Sequence, residues 1–101
     1  MPYAEPLTDQ EIADRLDQLP GWERSEDSIT KTFKIKPYPR GLALIALVVA
    51  AEEKMDHHAD IEYRFGSVVF TITTHAANHQ ITAKDLELAE RIEKASVGIA
   101  A

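Results

Sequence analysis

Apolar and polar positions along this chain switch between two periods, three to four residues in some stretches and two in others. The first helical stretch is "LTDQEIADRLDQLPGW". Thr8 stands three residues before Glu11, the spacing of a capping box in which each side chain satisfies the other's free N–H. Ile12, Leu16 and Leu19 follow at helical spacing, and Pro20-Gly21 predicts the stop. "WERSEDSITKTFKIK" then changes to period two. Ile29, Lys31, Phe33 and Ile35 share one strand face, and Glu26-Asp27 sits where a hairpin would turn. "PYP" ends that strand, because proline cannot donate to a sheet ladder.

"RGLALIALVVAAEEKM" returns to helix for about four turns and is apolar on most sides. A two-layer domain covers only one side of such a helix. The other is expected to meet a neighbouring subunit around Leu44, Leu47 and Val48. "DIEYRFGSVVFTITTH" predicts a second hairpin around Gly66, with Ile61, Tyr63 and Phe65 on one face of its first strand. In the next strand Val68, Phe70 and Ile72 lie on one face, and Val69, Thr71, Thr73 and His75 on the other. "AANHQ" reads as a loop. "ITAKDLELAERIEKAS" is the last helix, with Thr82 as N-cap and Asp85 three residues on. The order α-β-β-α-β-β-α predicts an α+β fold, a four-stranded antiparallel sheet with three helices on one face. No repeat or linker divides the chain, so residues 1–101 are expected to form a single domain.

Charge and composition narrow the function classes. The net charge is −6 and the basic residues are scattered, which speaks against nucleic acid as a partner. The absence of cysteine excludes disulfides, cysteine-built zinc sites and a thiol nucleophile, and suits the cytoplasm. The polar, acidic opening "MPYAEPLTDQE" does not have the pattern of a signal peptide. The longest apolar run, "LALIALVVAA", is half of the roughly 20 residues needed to span a bilayer, so no membrane is expected.

The chemistry concentrates in histidine. His57 and His58 fall between a helix and a strand, His75 ends a strand, and His79 lies in the loop beyond. Imidazole gives and takes protons near neutrality, and Glu52, Glu53, Asp56, Asp60 and Asp85 are candidates to orient the rings. Three readings are open at this point. The histidines are solvated turn residues; or His75-x3-His79, with His57 or a carboxylate, binds a metal; or the cluster performs acid–base catalysis on a small molecule. The loop reading gives the rings of His75 and His79 no reason to share a face. No G-x-S-x-G elbow, P-loop or G-x-G-x-x-G offers a competing chemistry.

Glu53, then His57-His58 followed by a small residue, then Phe65, His75 and Asp85 on a helix together resemble the signature of the pterin-4a-carbinolamine dehydratases. "EEKMDHHADI", "VVFTITTH" and "ITAKDLELAERIE" resemble that family's helix end, strand and last helix. The resemblance implies dehydration of 4a-hydroxytetrahydrobiopterin to quinonoid dihydrobiopterin, with no cofactor and no metal, in tetrahydrobiopterin recycling after an aromatic amino-acid hydroxylase. It implies that His57, His58 and His75 handle protons and contact the pterin, and that Glu53 and Asp85 orient them. His57, His58, Ala59, Thr74, His75, Ala76 and Ala77 would line the substrate site. It also implies a homodimer or homotetramer. Some relatives are non-catalytic assembly or dimerisation factors, which is the alternative function. The chain departs from the family pattern at Ala59, where proline, cysteine or serine is usual, at Ile61, and in the glycine-free, longer "AANHQ" loop.

Overall fold

The computed structural model describes residues 5–99. Helix α1 (Asp9–Leu16) opens on the capping box, with Glu11 N–H donating to Thr8 Oγ1 and Thr8 N–H to Glu11 Oε1. It ends earlier than Pro20-Gly21 suggests. Beyond Asp17 the backbone bonds shorten to three-residue steps, Gln18 to Arg15 and Leu19 to Leu16, and this tighter turn still carries Leu19 into the core. Strands β1 (Glu23–Ser25) and β2 (Ser28–Lys34) form the first hairpin, turning at Glu26-Asp27 with Glu26 in the left-handed region.

Helix α2 (Pro39–Met55) leads to the second hairpin, β3 (Asp60–Arg64) and β4 (Ser67–Ile72). A 3-10 turn at His75–Ala77 and helix α3 (Ala83–Ser96) complete the chain order. The sheet is antiparallel throughout in the order β1-β2-β4-β3, so the two hairpins join through their second strands. Ile29, Phe33, Val68, Phe70 and Ile72 form its buried face. They share one core with Ile12 of α1, Leu44 and Val48 of α2, and Leu86, Leu88, Ala89 and Ile92 of α3. The three helices therefore cover one face of the sheet, as the element order predicts. Phe33 stacks edge-on against Phe70 and Trp22.

Lys31, although on the core-facing side, reaches the sheet margin, where its Nζ lies 2.6 Å from Glu93 Oε2. The same oxygen accepts the Trp22 indole N–H at 2.8 Å, tying β2 and the α1–β1 turn to α3.

Two expectations change. Leu44 and Val48 are fully buried within their own chain, because their helical face meets the sheet; the outward face of α2 carries Leu42, Leu47 and Val49 instead. Phe65 belongs to the β3–β4 turn rather than a strand face and is 90% exposed, since the chain reverses at Phe65-Gly66. It stands beside Tyr38, which stacks on Tyr63. Among the described residues, no helix is long and apolar enough to cross a membrane.

Gly41 fixes how closely α2 approaches the sheet. A Cβ there would lie 2.6 Å from the Tyr63 ring and 3.1 Å from Val68 Cγ2. Tyr63 cannot easily yield, because it stacks on Tyr38 and donates its hydroxyl to the Tyr38 carbonyl at 2.6 Å. Gly41→Ala is therefore expected to cost stability. Overpacking of about 1–3 kcal/mol outweighs the gain in helix propensity of at most about 1 kcal/mol. Urea unfolding checks this, and a more stable variant would contradict it.

Candidate active site

Three chain segments meet at one end of the sheet. The first is the end of α2. Asp56 takes a left-handed conformation that stops the helix, a geometry aspartate tolerates. The Glu52 carbonyl accepts the N–H of His57 at 3.1 Å, and the buried Glu52 carboxylate accepts the N–H of Ala59 at 3.0 Å. One residue thus holds the turn that carries both histidines from either side.

The second segment follows β4. Thr74 continues the buried side of the strand, and its N–H donates to Gln80 O at 3.1 Å, closing a loop. Within it, His75–Ala77 form a 3-10 turn, and Asn78 and His79 both take positive φ. The loop thus reverses without glycine, using residue types that enter the left-handed region more readily than most.

The third segment is the start of α3, and Asp85 joins all three. Its fully buried carboxylate accepts the Thr82 N–H as the reciprocal half of a capping box and the Thr74 hydroxyl, both at 2.8 Å and both on Oδ2. Oδ1 lies 2.6 Å from His57 Nε2. Thr74 commits its only hydroxyl proton to Asp85, so the Thr82 hydroxyl, 2.8 Å away, donates to Thr74. Asp85 thereby favours the His57 tautomer with hydrogen on Nε2, leaving Nδ1 outside that contact.

His57, His58 and His75 line one cavity of about 250 Å³, together with Asp56, Thr73, Thr74, Ala76 and Lys84. Glu53 lies outside the lining but meets His58, with Oε2 2.8 Å from Nε2. Ala59 and Ala77 also lie outside it. Asp56 is among the carboxylates the sequence offers beside the rings, whereas Thr73 and Lys84 are not marked as site residues there. Thr73 was placed on the same strand face as His75, and Lys84 precedes Asp85 in the first turn of α3; both positions follow only once the helix start is docked beside the strand end. A second departure from expectation is that the rings of His75 and His79 do meet. Their centroids are 4.7 Å apart at 85°, because the 3-10 turn and two left-handed residues fold the loop back. Even so, among the described residues no group of three or more His, Cys, Asp or Glu is arranged to hold a metal ion.

Residues 5–95 match the model of the pterin 4 alpha carbinolamine dehydratase family. A Streptomyces coelicolor protein provisionally named a pterin-4-alpha-carbinolamine dehydratase is 35% identical over 95 residues, spanning 94% of each chain. One from Nocardia farcinica, named in the same way, is 40% identical over 88 residues, 87% of this chain and 92% of that one. Among solved structures, a transcriptional coactivator/pterin dehydratase from Brucella melitensis superposes with a TM-score of 0.85 at 28% identity, covering 95% of this chain and 99% of that one. A pterin dehydratase-like RuBisCO assembly factor of the alpha-carboxysome superposes with a TM-score of 0.61 over 74% of this chain and 86% of that one; at 16% identity the likeness concerns fold alone.

The hydrogen bond to Glu53 raises the proton affinity of His58 above that of an ordinary histidine, with the charges of Glu52, Glu53 and Asp56 adding and desolvation opposing. A proton affinity raised on folding stabilises the folded state below about pH 6.5, and that contribution is lost as pH rises through the elevated value. An NMR titration of the histidine ring protons should therefore place the His58 midpoint above that of a free histidine, and Glu53→Gln should lower it. An unmoved midpoint in the variant would show that Glu53 does not act on this ring.

Proposed function

The chain belongs to the pterin 4 alpha carbinolamine dehydratase family, and from that premise we propose that it dehydrates 4a-hydroxytetrahydrobiopterin to quinonoid dihydrobiopterin, in the recycling of tetrahydrobiopterin. The observation that carries this reading is the convergence of His57, His58 and His75 on one small cavity, with His57 braced by a buried carboxylate. The cavity lies just below the roughly 300–1,000 Å³ of drug-sized sites, which suits a flat bicyclic ring whose side chain extends outside.

The reaction breaks the C4a–O bond and removes the proton on N5. The N5–H electron pair becomes the C4a=N5 double bond, and the hydroxyl leaves as water. Hydroxide is a poor leaving group, so one imidazole must donate a proton to it while another accepts the proton from N5. Positioned acid–base groups contribute roughly 10²–10⁴ in rate. The raised proton affinity of His58 favours it as donor. His57, held through Nε2 by Asp85, has Nδ1 to offer as acceptor. His75 completes the cavity wall and contacts the ring. Glu53 and Asp85 act through the histidines as positioning residues.

The exposed Leu42, Leu47 and Val49 on the outward face of α2 support assembly into a dimer or tetramer through that helix. Leu47→Glu should shift the assembled protein towards monomer in sedimentation, because burying an unpaired charge costs several kcal/mol, on the order of 3–5. A monomeric wild type at micromolar concentration would contradict this.

Stopped-flow decay of the carbinolamine tests the reaction itself. The wild-type protein should accelerate it, His75→Ala should lower turnover by roughly 10²-fold or more, and a strong chelator should leave wild-type turnover unchanged. Decay indifferent to stoichiometric protein would reject the enzyme and leave the non-catalytic assembly factor as the reading.

A further inference from the structure

We propose that His79 is a positioning residue for His75, its ring holding the His75 imidazole at the edge of the cavity. The proposal rests on the dehydratase reading for its kinetic consequence but not for its geometry. Each of the other two imidazoles is held at Nε2 by a carboxylate, His57 by Asp85 and His58 by Glu53. His75 has no such carboxylate among the described residues. It is exposed, and its ring partner is the ring of His79, edge to face at 4.7 Å. Aromatic rings favour this orientation over a face-to-face sandwich, so the contact selects one direction for the His75 ring.

The loop is built so that this contact forms. Thr74 and Gln80 pair across its base, the 3-10 turn advances the chain by only three residues, and Asn78 and His79 then reverse it in the left-handed region. A histidine at φ +59 is an uncommon choice where glycine would serve freely. Glycine, however, would leave His75 without the facing ring. The position of His79 also matters on its outer side. It lies beside the β1–β2 turn, lining a shallow cavity with Ser25, Asp27 and Thr73. Thr73 also lines the histidine cavity and donates its hydroxyl to Asp27 O at 2.6 Å. The His75–His79 pair thus spans from the histidine cavity to the first hairpin. Backing from that turn would keep the His79 ring from swinging away when a ligand presses on His75.

The test uses two variants that suit the left-handed backbone at this position and one that restores a ring. His79→Gly and His79→Asn both accept positive φ and remove the ring; His79→Phe keeps a ring without the nitrogens. The Gly and Asn variants should lose the ring-current shift of the His75 protons and lower kcat by about two- to tenfold, the range set by one aromatic-pair preference, with KM changed less. His79→Phe should restore both readouts. Unchanged His75 shifts and kcat in folded Gly and Asn variants would overturn the proposal. So would a folded Phe variant that fails to restore them, since the nitrogens rather than the ring would then matter. If His75→Ala proves as active as wild type, the catalytic place given to His75 fails, while the ring-current shifts still decide whether His79 holds its ring.

Discussion

The buried carboxylate of Asp85 is the constraint on which the site depends. It caps α3, anchors Thr74 beyond β4 and holds His57 beyond α2. Burying a charge without partners would be strongly unfavourable, so the chain must bring all three donors to it before the interior can close. The contacts that satisfy the buried carboxylate are therefore the same contacts that bring the three segments of the site together. The two threonines add direction as well as satisfaction. Proton donation runs from Thr82 to Thr74 to Asp85, which fixes both hydroxyl rotors and leaves the other carboxylate oxygen for imidazole. Networks of this kind specify a single arrangement because a half-satisfied version costs more than none.

The histidines sit in graded environments around that anchor. His57 is buried against a buried acid, His58 is exposed against an exposed acid, and His75 is exposed against another ring. Three copies of one side chain thus stand in three different surroundings, set by burial and by the partner each ring meets. The same comparison explains the value of Glu52. Its carbonyl accepts the His57 N–H and its carboxylate the Ala59 N–H, so it supports the turn that carries both histidines.

Much of this was legible in the sequence, for reasons that differ by residue. The capping boxes at Thr8-Glu11 and Thr82-Asp85 are local, so spacing alone reveals them. Period-two runs located Ile29, Phe33, Val68, Phe70 and Ile72, because a sheet with one buried face imposes strict alternation. The carboxylate at Asp85 could be named from spacing and resemblance, but not its bond to His57, which joins positions 28 apart through the packing of α2 beside α3. Lys84 and Thr73 escaped notice for the same reason. The direction of α2 was misjudged around Leu44 and Val48, since a helix apolar on most sides does not declare which face its own sheet will take. The meeting of His75 and His79 was hidden because positive φ at two consecutive residues without glycine leaves no compositional mark.

The register of β2 on β4 separates the two ends of the molecule. Ile29 pairs with Ile72 near the histidines, and Lys34 pairs with Ser67 near the second turn, a span of roughly 17 Å at strand spacing. At the far end Gly66 has open space around it and Phe65 stands in solvent. A fluorophore or tether introduced at that turn would ride on a rigid strand while staying clear of the imidazoles. The sheet thus acts as a spacer between the histidine cluster at one pole and the exposed turn at the other, and the two can be altered by separate sets of residues.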